Sequence, residues 1–162
     1  MLQKQKGELM SKIALRIIGL AAAMALSTTA FAQEVGTATE AQALVKKAIA
    51  HYKAAGKDKA CADFAAAGEY QFKDLYVFVQ QLDGNMLCHG KNPALNGKNL
   101  AGLKDSDGTA FVAQFIEVVK TKGSGWIDYK WVNAGTKKIE PKSSYVEKGD
   151  GDIFIGAGIY KP

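Results

Sequence analysis

Asp83-Gly84 constrains this chain more tightly than any other pair of residues. It separates Leu75-Tyr76-Val77-Phe78-Val79, a β-branched and aromatic run, from Asn85–His89. An Asp-Gly pair between two such runs is a preferred two-residue hairpin turn. Antiparallel pairing starts there, and the flanking patterns say what it packs with. Ahead of it, Ala41, Leu44, Val45, Ala48, Ile49, Tyr52 and Ala55 recur at helical spacing. Thr39 with Gln42 reads as a capping box for that helix over 40–55, and Gly56 as its stop. Asp58 is placed to cap a shorter helix that carries Cys61 and Phe64 and ends near Gly68.

Beyond the hairpin, residues 90–108 are loop-like. Asp107 is placed to cap a helix with Phe111, Val112, Phe115, Val118 and Val119 on one face, closed by Gly123. Three strands follow: Trp126–Trp131, Ile139–Glu147 and Ile153–Tyr160. In the first, Ile127, Tyr129 and Trp131 alternate with Asp128 and Lys130. Asn133-Ala134-Gly135 and Gly149-Asp150-Gly151-Asp152 supply the turns. Helices first, then hairpins around one inserted helix, is the order of an α+β domain with helices on an antiparallel sheet.

The N-terminal segment 1–32 reads as a secretory signal peptide. Lys4, Lys6, Lys12 and Arg16 precede the apolar run Ile17–Leu26, and Ala30-Phe31-Ala32 supplies a small-residue cleavage site. The apolar run is too short to span a bilayer, which takes about 20 residues as a helix. Cleavage after Ala32 leaves one domain, 33–162, long enough to bury roughly two-thirds of its unfolded surface. With no further apolar stretch, it is expected to be periplasmic or secreted. The formal charge of +5 is concentrated in the leader, and Arg16 is the only arginine. Nucleic-acid binding needs a clustered basic face, so nucleic acid is not an expected partner.

Cys61 and Cys88 would sit in an oxidising compartment, where a disulfide can form. Two buried free thiols are the alternative, because spacing alone does not show whether the side chains meet. Cys88-His89 ends like a c-type haem attachment, but Asn85 stands where that motif needs its first cysteine. His51, on the polar side of the first helix, reads as solvated. No set of His, Cys and carboxylates has metal-ligand spacing, and the calcium hint in Asp105, Asp107 and Gly108 fails at Ile116, where a glutamate is required. No nucleophile elbow or phosphate loop occurs. Neither an enzyme, a cofactor nor a metal site is expected.

Aromatic residues crowd the strands. Tyr and Trp need polar partners when buried, and several near His89 and Lys142 would line a small pocket with a few convergent polar groups. Here the residues resemble a known family. Asp74–Val79 with Leu82–His89 is similar to the first hairpin of single Cache domains (type 2), and further blocks match in order. They are Gly97–Leu100, Asp105–Gly108, Gly123–Trp131, Pro141–Val146 and Ile155–Tyr160.

The resemblance implies an extracytoplasmic, PAS-like Cache fold: a long N-terminal helix packed on an antiparallel sheet of about five strands. It implies a sensor module of the kind found in chemoreceptors and histidine kinases, often binding a small carboxylate such as acetate, propionate, pyruvate or lactate. By position it points to Tyr76, Phe78, His89, Trp126, Tyr129, Trp131, Lys142 and Tyr145 as ligand-binding residues. Without an arginine, Lys142 or His89 must supply the charge, and Pro141 places Lys142 on an edge strand or bulge. The expected function is an exported, stand-alone small-molecule sensor, with a membrane-bound signalling protein as its partner. The alternative is an interaction module that keeps the fold without a ligand. If the leader acts as read, protein recovered from the periplasm begins at Gln33; an intact mass retaining residues 1–32 would show an anchor instead.

Overall fold

Thr37 starts the first helix, two residues ahead of the expected cap. In the computed structural model, which describes residues 34–161, the Thr37 hydroxyl accepts from the Glu40 N–H while Glu40 accepts from the Thr37 N–H. Thr37 has extended backbone, which the cap position requires; Thr39 is already inside the helix. The leader assigned to residues 1–32 lies outside the described residues. Helix α1 (Ala38–Ala55) ends at Gly56, whose φ of 78° turns the chain directly into α2 (Lys57–Ala65). Gly56 itself is the N-terminal boundary of α2, so Asp58 sits in the first turn and not at the cap.

The expected strand 75–79 is divided at Val77. β1 (Gln71–Phe72) and β2 (Leu75–Tyr76) form their own small hairpin. β3 (Phe78–Gln81) then joins the main sheet and pairs across the Asp83-Gly84 turn with β4 (Met86–His89). After a single 3₁₀ turn at Pro93–Leu95, α3 (Phe111–Lys122) begins without a side-chain cap. The cap position is Ala110, three residues after Asp107, which pairs with Lys130 at 2.9 Å. Asp105 instead ties the loop, accepting from the N–H groups of Asp107, Thr109 and Lys130. Gly123 closes α3 in the left-handed conformation. Then come β5 (Ser124–Val132), β6 (Ile139–Lys148) and β7 (Ile153–Tyr160).

The five-stranded sheet has the order β4-β3-β7-β6-β5, antiparallel throughout. β7, last in sequence, is central, and both sheet faces are covered. On one face α1 packs on β6 and β7, and α2 packs on β4. That core joins Leu44, Val45, Ala48 and Phe64 to Val77, Val79, Ile155 and Ala157. On the other face α3 packs over β5 and β6. There Phe111, Phe115 and Val119 meet Phe78, Tyr129, Val146 and Phe154. Alternate residues of each strand serve opposite cores.

Cys61 of α2 and Cys88 of β4 are joined in a disulfide with a Cα–Cα distance of 5.6 Å. A loop closed over a separation of 27 residues contributes roughly 3–4 kcal/mol in the chain-entropy account. Alkylation of the denatured, unreduced protein should therefore label neither cysteine. Replacing both by alanine should lower unfolding free energy by about that amount; two labels per chain would contradict the bridge.

Candidate functional site

Two glycines on the central strand make room for the site. The Phe78 ring lies on Gly156, where any Cβ would strike it. At Gly158 a Cβ would meet Ser144 Oγ and come within 2.9 Å of Lys142 Cε. The absence of side chains at 156 and 158 lets Phe78 and Lys142 lie flat across β7 on the face that α3 covers. Between Phe78 and α3 is a cavity of about 20 Å³ lined by Tyr76, Phe78, Gln80, Met86, His89, Leu95, Leu100, Phe111, Val112, Phe115, Tyr129 and Trp131; Lys142 is not in its wall. One water needs roughly 10–15 Å³ on this measure.

Lys142 is 1% exposed. Its Nζ donates to the Tyr76 hydroxyl at 2.6 Å and lies 3.9 Å from the Tyr76 ring centre and 4.5 Å from that of Tyr160. None of the ion pairs among the described residues includes it. Asp74, the nearest acid to act on it, accepts from the Gly36 and Tyr160 N–H groups. Cation–π contacts and one hydroxyl replace only part of an ammonium's hydration. Burial accordingly pushes Lys142 down to about 7, with Asp74 acting in the opposite direction.

His89 presents the opposite chemistry. Its Nδ1 accepts from the N–H groups of Lys91 and Asn92 at 3.3 and 3.0 Å, so the proton belongs on Nε2. The ring stacks beside Tyr76 and Phe78, with centroids 4.9 and 6.3 Å away. Burial first, and the nearby Lys142 second, push His89 down to about 3. It is a neutral donor at physiological pH, and mild acid does not make it cationic. Tyr129 shares a hydrogen bond with Ser144 at 2.9 Å, and burial holds its hydroxyl protonated. The apolar pocket thus has a neutral imidazole donor and phenolic hydroxyls in its wall, and an unpaired buried amine hydrogen-bonded to one of those phenols, Tyr76. Among the described residues no three His, Cys, Asp or Glu side chains are grouped to hold a metal.

A profile of the Cache domain family matches residues 31–161. The chain belongs to the Cache domain family. It is 30% identical over 89 residues to the methyl-accepting chemotaxis protein McpP of Pseudomonas putida and 36% identical over 89 residues to the sensor histidine kinase MctS of Rhizobium johnstonii. Each match covers 54% of this chain, but only 16% and 19% of those longer proteins. A methyl-accepting chemotaxis protein from Vibrio parahaemolyticus superposes with a TM-score of 0.67 at 27% identity, covering 75% of this chain and 86% of that one. A structure described as the basis for carboxylic acid recognition by a Cache chemosensory domain gives 0.66 at 25% identity, covering 76% and 92%.

In this Cache domain Phe78, His89, Tyr129, Trp131 and Lys142 share one face of the five-stranded sheet, and Tyr76 of the β1–β2 hairpin lies against Lys142 and His89. Trp126 and Tyr145 do not lie on that face. They pair across β5 and β6, their rings 5.5 Å apart, on the face that α1 covers, and the Tyr145 hydroxyl donates to Glu147. Side chains alternate along a strand, so Trp126 cannot point with Tyr129, nor Tyr145 with Lys142. Nor is Lys142 on an edge: β6 lies between β5 and β7. His51 is not simply solvated, since it bonds Asp63 at 2.7 Å and stacks on Tyr70. Gln80, Ser144, Tyr160 and the α3 phenylalanines complete the site without having been singled out. Strand alternation carries that signal for the first three once the pairing of β6 with β7 is known.

The buried amine has a measurable cost. Above about pH 7 the folded protein gives up the Lys142 proton that the unfolded chain still holds. A base depressed in the folded state makes stability rise with pH, here by about 1.4 kcal/mol per unit between about pH 7 and 9. The phenols, shifted upward, do not lose protons in that window. Urea unfolding of the ligand-free protein should show this slope and Lys142→Met should flatten it; a wild-type stability independent of pH would contradict it.

Proposed function

We propose that this Cache domain is an exported, periplasmic sensor module whose α3-side cavity binds a small carboxylate. One observation carries the reading: an amine buried without a carboxylate partner is hydrogen-bonded to Tyr76, which lines the cavity. An incoming carboxylate would lose its water on entry, and a charge-assisted bond to Lys142 offsets that loss. His89 Nε2–H supplies a neutral donor, and Phe78, Phe111 and Phe115 enclose an apolar tail. At about 20 Å³ the free cavity holds little more than one water, so even a carboxylate of two or three carbons requires the side chains around it to shift on binding. The chemosensory relative described by its carboxylic acid recognition supports the same class. The relatives that are chemoreceptors and sensor kinases support a membrane-bound signalling protein as partner and a sensing role in place of catalysis.

The size of the cavity also favours a second reading, an interaction module that keeps the fold without a ligand. Thermal shift separates the two. A ligand at 100 times its dissociation constant stabilises by about 2.7 kcal/mol, roughly 6–12 °C for a domain of this length. Acetate, propionate, pyruvate or lactate at millimolar concentration should produce such a saturable shift. Lys142→Ala and His89→Ala should each remove most of it while the free protein still melts cooperatively. If all four leave the melting temperature unchanged and the purified protein carries no retained ligand, the interaction module takes precedence.

A further inference from the structure

Lys142 is enclosed by groups that are unable to share its charge. β2 presents Tyr76, β4 His89, β5 Tyr129 and β7 Tyr160, while Asp74 stands in the turn before β2 with its oxygens engaged by backbone N–H groups. From α3 only apolar side chains reach this face; Glu117, Lys120 and Lys122 are exposed on its outer side. Within β6, Glu140 is turned to Asn133 and Thr136. In the free site, then, an ammonium at Nζ has one hydroxyl acceptor and no carboxylate within ion-pair distance, Asp74 acting on it only from further off. Losing its proton relieves that burial, and the arrival of an anion reverses the balance.

We infer that carboxylate binding in this cavity is coupled to the uptake of one proton by Lys142, so that the module responds to anion and acidity together. This rests on the carboxylate reading above. The reaction balances as free protein with a neutral amine, plus carboxylate, plus a proton from solvent, giving an ammonium–carboxylate pair in the cavity. No other group in the site takes that proton. A proton on His89 Nδ1 would break its bonds from the Lys91 and Asn92 N–H groups, and burial holds that ring neutral down to about 3. The buried hydroxyls of Tyr76, Tyr129 and Tyr160 are all shifted upward by burial and stay protonated before and after binding. Burial bringing Lys142 to about 7 puts the transition near neutrality.

The sign follows from linkage. Below about pH 6 the amine is already charged and affinity is independent of pH, whereas well above 7 it falls about tenfold per unit. A small carboxylate is fully ionised throughout that range and contributes no slope of its own. Calorimetry with propionate at about pH 8, in two buffers of different ionisation enthalpy such as HEPES and Tris, should report close to one proton taken up per ligand. The Lys142 Cε resonance of the free protein, assigned by its absence from Lys142→Met, should titrate near neutrality. Binding without proton exchange and without pH dependence overturns the coupling and leaves the carboxylate reading standing. A Cε midpoint above about pH 9 overturns the coupling in the free protein, without reference to any ligand. No binding heat from propionate, acetate, pyruvate or lactate removes both.

Discussion

An amine held out of water by two phenol rings and one hydroxyl is the constraint on which the arrangement of this Cache domain turns. Burying a cation without a counter-ion is unfavourable, and nothing among the ion pairs of the described residues compensates Lys142. The fold tolerates it because β7 has glycine at 156 and 158, which opens a shallow trough across the middle of the sheet. Phe78 fills one part of the trough and the Lys142 stem the other. Neither could lie there on a strand carrying side chains at those positions.

Around that trough the two faces of the sheet have separate duties. The α1–α2 face is a core of mixed aliphatic and aromatic residues, pinned by the Cys61–Cys88 bridge. The α3 face is aromatic and leaves a small void. β4 links them: Cys88 points into the first core and His89, its neighbour, into the second. Fixing β4 from one side therefore fixes the imidazole on the other. The loop after β4 completes the job by donating two backbone N–H groups to Nδ1, which sets the tautomer that faces the cavity.

Electrostatics in the site come from burial more than from paired charges. His89 is kept neutral, the tyrosines are kept protonated and Lys142 is left near its titration point. The donors of a pocket composed this way are already desolvated and oriented. The surface shows ordinary exposed pairs such as Lys47–Glu69 and Lys53–Asp150, worth little individually.

The order of elements, the Asp83-Gly84 hairpin, the helix stops at Gly56 and Gly123 and the extents of the last strands were legible in the sequence, because each depends on local chemistry. Glycine conformations, alternation and turn preferences act over a few residues. The caps were less so: Thr37 and Thr39 both carry a hydroxyl able to accept at a cap, and the cap position of the third helix falls three residues beyond Asp107, at Ala110. For the site, alternation alone separates Lys142 from Tyr145 and Tyr129 from Trp126, since residues an odd number apart in a strand face opposite ways. What alternation does not supply is which parity meets α3. That depends on β7, the last strand, entering between β3 and β6, and on which helix covers which face. The register placing Lys142 beside Tyr160 and against Tyr76, and hence the burial of a surface-type residue next to the pocket wall, was decided only by tertiary packing.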